Sequence, residues 1–270
     1  MKQYHFISGL PRSGSTLLSA ILKQNPKFFA SMSGPVCGML ENLKKEMGSS
    51  NEFSVFISDA QRKRIFRSIL DAYYGEEFEA SVIFDTSRGW CAHMPLLQNI
   101  TPDAKVIACV RDVSWIVDSF ERFAHNNPLK ASAIFNSITH DTVYHRVDQL
   151  SNGSGSVGYS YNALKQAFYG EHTQNLLLVQ YESLTSHPHE VMQKIYAFLG
   201  EVPFTHDFSN LEFSSDVFDE KMHTPGLHKV RKNLEHIPRS SILPPDIFRR
   251  FQDDAFWRNP SLNTRNVEII

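Results

Sequence analysis

Phe6-Ile7-Ser8-Gly9-Leu10-Pro11-Arg12-Ser13-Gly14-Ser15-Thr16-Leu17-Leu18 decides the reading of this chain. It predicts a strand, a tight loop and the start of a helix. A phosphate-binding loop of the P-loop kind needs Gly, four residues, Gly, Lys, then Ser or Thr. Gly9, Gly14 and Thr16 fit that spacing, but Ser15 stands where the Lys belongs. The glycines still let backbone N–H groups turn inward, and a helix N-terminus still favours an anion. Arg12 is the nearby side chain able to replace the missing cation. The loop is therefore expected to hold a phosphate-bearing ligand without the usual nucleoside-triphosphate machinery. The competing reading of the same glycines is a plain strand-to-helix turn.

The run Pro11 to Leu18 resembles the phosphosulfate loop of the sulfotransferase family, and most closely that of the tyrosylprotein sulfotransferases and their bacterial relatives. The resemblance implies a three-layer α/β/α domain of P-loop type around a central parallel sheet. It also implies binding of 3′-phosphoadenosine 5′-phosphosulfate (PAPS) and release of the desulfated product, PAP. In that reading Pro11, Arg12, Ser13, Gly14, Ser15 and Thr16 hold the donor.

Working outward, the chain has 270 residues, 41% of them hydrophobic and 12% aromatic, enough for a large α/β core. The expected organisation is one domain over 1–270. A net charge of −2 argues against a nucleic-acid binder. Cys37, Cys91 and Cys109 are odd in number and show no metal-ligand spacing, which suits a reducing compartment and no disulfide framework. The twelve histidines form no His-Glu-x-x-His pattern, so no metal is expected. No signal peptide is visible ahead of the first strand and no apolar run is long enough to span a bilayer. The expectation is a soluble cytoplasmic protein that needs no membrane; the sequence leaves its oligomeric state open.

Strands are predicted at Tyr4 to Ser8, Ser81 to Phe84, Ala104 to Val110 and Leu176 to Val179, each followed by a helical stretch. Strand–helix alternation predicts a parallel sheet with right-handed crossovers. The first strand and the Arg111 strand are expected side by side. Phe53 to Tyr74 reads as one long helix with Phe56, Ala60, Phe66, Ile69, Leu70 and Tyr73 on its buried side. Its basic run, Arg62, Lys63, Arg64 and Arg67, reads as a solvated face or as a docking surface for an acidic acceptor. After Arg111, Val113 to Ala124 is helical, with Trp115, Ser119 and Arg122 on a second stripe. Ser151 to Ser160 reads as a flexible loop and Pro245 to Phe256 as a last helix.

A dianionic phosphate calls for a guanidinium fork and a hydroxyl donor in one place. Arg111 at a strand end and Ser119 two turns into the next helix can supply them, where the family resemblance puts the 3′-phosphate of PAPS. Without a ligand, Arg111 would pair with Asp112 and Ser119 would face solvent. Tyr181, and His228, Lys229 and Lys232 in the late basic segment, resemble further donor contacts of the family.

The implied reaction is in-line transfer of a sulfuryl group to a hydroxyl: a peptide tyrosine, a sugar or a small alcohol. Charge building on the leaving phosphate oxygen would face Arg12 and the loop N–H groups. The base is where the pattern departs from the family. Ser33 falls where tyrosylprotein enzymes carry a Glu, and Thr86 near the family's transition-state Lys. The candidates are Arg88 as charge stabiliser and Asp85 or His93 as base, with His228 if the late segment folds over the site. A P-loop kinase or nucleotidase, and a nucleotide-binding module without turnover, stand as alternatives; the kinase would need Asp85 as its Mg²⁺ carboxylate.

Overall fold

The computed structural model describes residues 2–75, 78–129, 133–135, 142–213 and 215–270. Six strands are found among them: β1 Gln3–Gly9, β2 Phe28–Ala30, β3 Val82–Thr86, β4 Val106–Val110, β5 Leu176–Gln180 and β6 Glu268–Ile269. The helices are α1 Ser15–Leu22, α2 Val36–Glu46, α3 Asp59–Tyr73, α4 Met94–Ile100, α5 Val113–Asn126, α6 Val143–Ser151, α7 Ser156–Phe168, α8 Tyr181–Ser186, α9 Pro188–Leu199, α10 Asp216–Lys221 and α11 Pro245–Arg250.

All six strands pair in parallel, in the order β2-β3-β1-β4-β5-β6. Period-2 alternation assigns each strand residue to one of two cores. Phe6, Val106, Ala108, Leu176 and Leu178 pack with residues of α2 to α7 on one face. Ile7, Ile107, Cys109, Leu177 and Val179 pack with α1, α8 and α9 on the other. Strands covered on both faces have no solvated side, which is why β4 reads as unbroken Val-Ile-Ala-Cys-Val.

β1 lies between β3 and β4, with Gly9 opposite Cys109. That pairing puts the loop after β1 beside Arg111, the first residue after β4. Gly9 is needed here twice over. Its φ of 100° lies in the left-handed region, and a Cβ there would lie 2.2 Å from the Cys109 carbonyl oxygen.

Several boundaries differ from the sequence expectation, for local reasons. The stretch from Phe53 is not continuous helix. A 3-10 turn, Glu52–Phe56, precedes α3, and the Ser58–Gln61 capping box starts the helix proper. Phe56 is therefore 78% exposed rather than core, and Ala60 and Tyr73 are also exposed; Phe66 and Leu70 are the buried residues of α3. On the basic run, Arg62 pairs with Asp59 and Arg67 with Asp71. The predicted loop Ser151 to Ser160 ends early, because Ser156 begins α7. The last α-helix stops at Arg250. β2 and β6 are three and two residues long, too short to show periodicity.

No helix among the described residues is long and apolar enough to cross a membrane. Cys37, Cys91 and Cys109 are all buried and free.

Candidate functional site

Between β1 and α1 the chain must turn sharply, and three residues do it with positive φ: Gly9, Arg12 at 57° and Gly14 at 97°. For a non-glycine residue the left-handed region costs roughly 1–2 kcal/mol. The strain at Arg12 sets the direction of its side chain. Ser13 closes the loop from inside, its hydroxyl donating to the carbonyls of Leu10 and Cys109. Gly14 precedes α1 without a side-chain cap, so the first-turn N–H groups and the positive end of the helix dipole face the concave side of the loop.

Arg12 is half-buried and reaches across the sheet end. Its Nε donates to Ser119 Oγ at 3.0 Å, and its Nη1 donates to the Leu227 carbonyl. Among the described residues it has no carboxylate in ion-pair range. Burial, followed by the charges of Arg111 and Arg239, pushes its pKa down to about 10. Arg111 lies over the Tyr181 ring at 4.1 Å, with Glu182 Oε1 3.8 Å from its Nε. That Nε is buried and has no hydrogen-bond partner among the described residues. Arg239 is tied to Asp118 at 2.9 Å.

Two cavities meet at Arg12, Ser15, Thr16 and Leu227. The smaller, of about 270 Å³, is lined by Gly14, Arg111, Ser119, Tyr181, Arg231 and Arg239, among others. The larger, of about 530 Å³, takes in Pro11, Ser33, Thr86, Ser87, Arg88 and His228. Arg12 stands in the wall between them.

The sequence-predicted residues distribute unequally. Pro11, Arg12, Ser15 and Thr16 line the larger cavity; Arg12, Gly14, Ser15, Thr16, Arg111, Ser119 and Tyr181 line the smaller. Ser13 lines neither, because its hydroxyl is turned into the loop. Lys229 and Lys232 are exposed and line neither cavity. Arg231 and Arg239, two and ten residues beyond Lys229, carry the positive charge there instead. Arg122, on the same helix stripe as Ser119, turns to Asp118 and the Ser240 carbonyl.

Arg88 opens into the larger cavity, and no carboxylate pairs with it among the described residues. Its surface is wetted there, yet crowding by the cavity walls lowers its pKa. Ser8 holds this segment to β1: its hydroxyl donates to the Arg88 carbonyl and accepts from Cys91 N–H, both at 3.1 Å.

Asp85 and His93 are corrections. The Asp85 carboxylate is fully buried behind the strand end, accepting from Tyr74 Oη at 2.5 Å and Trp90 Nε1 at 2.7 Å. Burial raises its pKa, opposed by those two bonds. It lines neither cavity, so it can neither take an acceptor proton nor hold a Mg²⁺ ion there. His93 is likewise away from both cavities, with Nε2 2.7 Å from Glu41 Oε1.

His228 does line the larger cavity, and sequence reasoning missed its partner. Its Nδ1 lies 2.5 Å from Oδ1 of buried Asp219, whose Oδ2 accepts the His228 backbone N–H at 3.0 Å. Asp219 and His228 sit nine residues apart on a turn-rich segment, where no periodicity signals a contact.

A protein-family model described as the sulfotransferase family matches residues 5–206. The fold is similar to a sulfotransferase domain from the curacin biosynthetic pathway, at 18% identity and a TM-score of 0.50, over 76% of each chain. It also matches a sulfotransferase from Alicyclobacillus acidocaldarius, at 15% identity and a TM-score of 0.47, over 82% of this chain and 90% of the other. A third match is the sulfotransferase domain of the Synechococcus PCC 7002 olefin synthase, at 19% identity and a TM-score of 0.44, over 92% and 94%. No curated protein matches by sequence.

Proposed function

The chain belongs to the sulfotransferase family, and on that premise we propose that it transfers a sulfuryl group from PAPS to a hydroxyl acceptor. The observation that carries this reading is the bond between Arg12 and Ser119 in a cluster of three arginines without a carboxylate on Arg12. Like charges gathered in a partly desolvated place raise the free energy of the empty protein, and a polyanion relieves them. The donor set fits a bisphosphorylated nucleotide: an uncapped helix N-terminus, Arg12, and the buried Nε of Arg111 without a hydrogen-bond partner among the described residues. When bound, PAPS supplies the sulfuryl group. Arg111 and Ser119 would hold its 3′-phosphate, with Tyr181 beside them. Arg12 and the loop N–H groups would face the 5′-phosphate, where charge builds as the bond to sulfur breaks.

The acceptor would enter the larger cavity. Met32, Phe120, Phe218 and Met222 line it, which supports an acceptor with an aromatic ring or alkyl chain beside its hydroxyl. His228 replaces Asp85 and His93 as our choice of base. Asp219 on Nδ1 fixes the tautomer and leaves Nε2 to accept the hydroxyl proton. Arg88 would balance charge from the opposite wall. The family match ends at residue 206, yet Leu227, His228 and Arg239 line the cavities. That supports one working unit over 1–270.

Transfer of labelled sulfate from PAPS to a panel of phenols, alkyl alcohols, sugars and tyrosine peptides tests the proposal. Turnover on at least one acceptor, lost in Arg12→Ala, is the expected result. PAP binding with no transfer to any acceptor would leave a nucleotide-binding module, and no PAP binding would overturn the reading altogether.

A further inference from the structure

Cys37 and Glu41 are one helical turn apart on α2, and His93 ends the 3-10 turn Arg88–His93 that faces them. A sulfur of Cys37, a carboxylate oxygen of Glu41 and a ring nitrogen of His93 all lie within 4.8 Å of one another. None of the three serves the chemistry described above. Gly89 lies against two members of the group, Cys37 and Glu41. A Cβ on it would lie 2.8 Å from Cys37 Sγ, 3.3 Å from Glu41 Oε1 and 3.5 Å from Tyr159 Oη. Its φ is not positive, so the backbone does not require glycine at this point. What glycine supplies is the absence of a Cβ, which would crowd the Cys37 sulfur and the Glu41 carboxylate.

We propose that this cluster is a divalent cation site for Zn²⁺, held by Cys37, Glu41 and His93, with Tyr159 or water completing a tetrahedron. A thiolate beside an imidazole selects a borderline-soft ion over Mg²⁺ or Ca²⁺, and three protein ligands leave the fourth position open. The Glu41 side chain is 45% exposed, which provides the way in. The site has a mechanical consequence. Ser87 caps the turn that carries Arg88 into the larger cavity, and His93 ends the same turn. A cation bound to both α2 and His93 clamps that turn at its far end. The ion acts as a clamp on Arg88, outside the transfer chemistry itself.

Titration of the full chain with Co²⁺ tests the site without any sulfuryl donor, so its outcome is independent of the proposed reaction. The expected result is one Co²⁺ per chain, with a near-ultraviolet thiolate-to-metal band and the visible bands of a four-coordinate ion, all erased by equimolar Zn²⁺. Loss of an outer-shell partner alone costs about 10- to 100-fold in metal affinity. Cys37→Ser should therefore weaken binding by at least about 100-fold and abolish the ultraviolet band. Gly89→Ala keeps every ligand but pushes its Cβ against the Cys37 sulfur and the Glu41 carboxylate, and should weaken binding as well. Far-ultraviolet circular dichroism checks that each variant is folded, and His93→Gln carries the test where one is not. A native chain without the thiolate band, or a band that survives in folded Cys37→Ser and so arises from Cys91 or Cys109, would overturn the proposal.

Discussion

Arg12 Nε and Ser119 Oγ meet at 3.0 Å although 107 residues separate them in the chain. The loop after β1 and the helix after β4 thus share one hydrogen bond at the sheet's C-terminal edge, where open α/β sheets bind ligands. Both groups line the smaller cavity, and Arg12 also lines the larger. In the proposed reaction this one side chain would couple donor binding to acceptor chemistry.

Replacing Arg12 should affect the chemical step most. Loss of one transition-state hydrogen-bond donor typically costs about 100- to 1,000-fold in rate. Arg12→Ala is expected to lose at least that in labelled-sulfate turnover. Arg12→Lys should recover little, because an ammonium cannot reach Ser119 and the 5′-phosphate as a planar fork does. A Lys variant with native turnover would contradict this role.

Ser119→Ala should act on binding. One hydrogen bond to a charged group is worth about 1.5–3 kcal/mol, or roughly 10- to 150-fold in affinity. Isothermal titration with PAP should show a loss of that order, with kcat at saturating PAPS changed less than Kd. Equal loss in both would place Ser119 in the chemical step instead.

His228 and Asp219 predict a loss that depends on the acceptor. A general base contributes about 100- to 10,000-fold. His228→Ala should lose that much toward an alkyl alcohol and much less toward an acidic phenol, whose proton leaves readily. Asp219→Asn should reduce kcat while leaving PAP affinity unchanged. Equal losses toward the alcohol and the phenol in folded His228→Ala would rule out the dyad as base.

Stability should fall with acidity through two buried imidazoles. Burial, with Lys105 adding to it, lowers the pKa of His5 from 6.5 to about 4. Burial lowers His206 from 6.5 to about 4 as well. Both are neutral in the fold. Below the unfolded value of 6.5 the unfolded chain takes up protons that the native state refuses, so stability is lost as pH falls toward 4 and the loss levels off there. The slope is about 1.4 kcal/mol per pH unit for each group. Urea unfolding of native and His206→Gln chains at about pH 7 and about pH 5 should show a shallower acid loss in the variant. Parallel losses would refute the assignment.

The loop was legible because Gly9 and Gly14 are backbone requirements that the spacing displays directly. Arg111 and Ser119 were legible because a strand end and two helical turns fix their separation. The stripe of Trp115, Ser119 and Arg122 was visible too, but its partners were not: Trp115 packs on Phe248, and Arg122 turns to Asp118. The late segment resisted reading for a physical reason. Its contacts are long-range ones between irregular backbone and the sheet end, such as Leu227 to Arg12 and Arg239 to Asp118, and irregular backbone carries no period. Charge density marks Lys229, Arg231 and Lys232 alike, whereas direction selects Arg231 among them and adds Arg239. Asp85 was misread for a similar reason. A carboxylate at a strand end looks like a ligand-facing group until Tyr74 and Trp90 close over it.

The central claim is that Arg12, Arg111 and Ser119 form a single site for a nucleotide with phosphates at both 3′ and 5′ positions. Isothermal titration of the native chain with PAP and with 5′-AMP, repeated on Arg111→Ala, measures it directly. The account predicts that PAP binds far more tightly than 5′-AMP, and that Arg111→Ala abolishes the difference while binding 5′-AMP as before. Equal affinity of the native chain for the two nucleotides would contradict it.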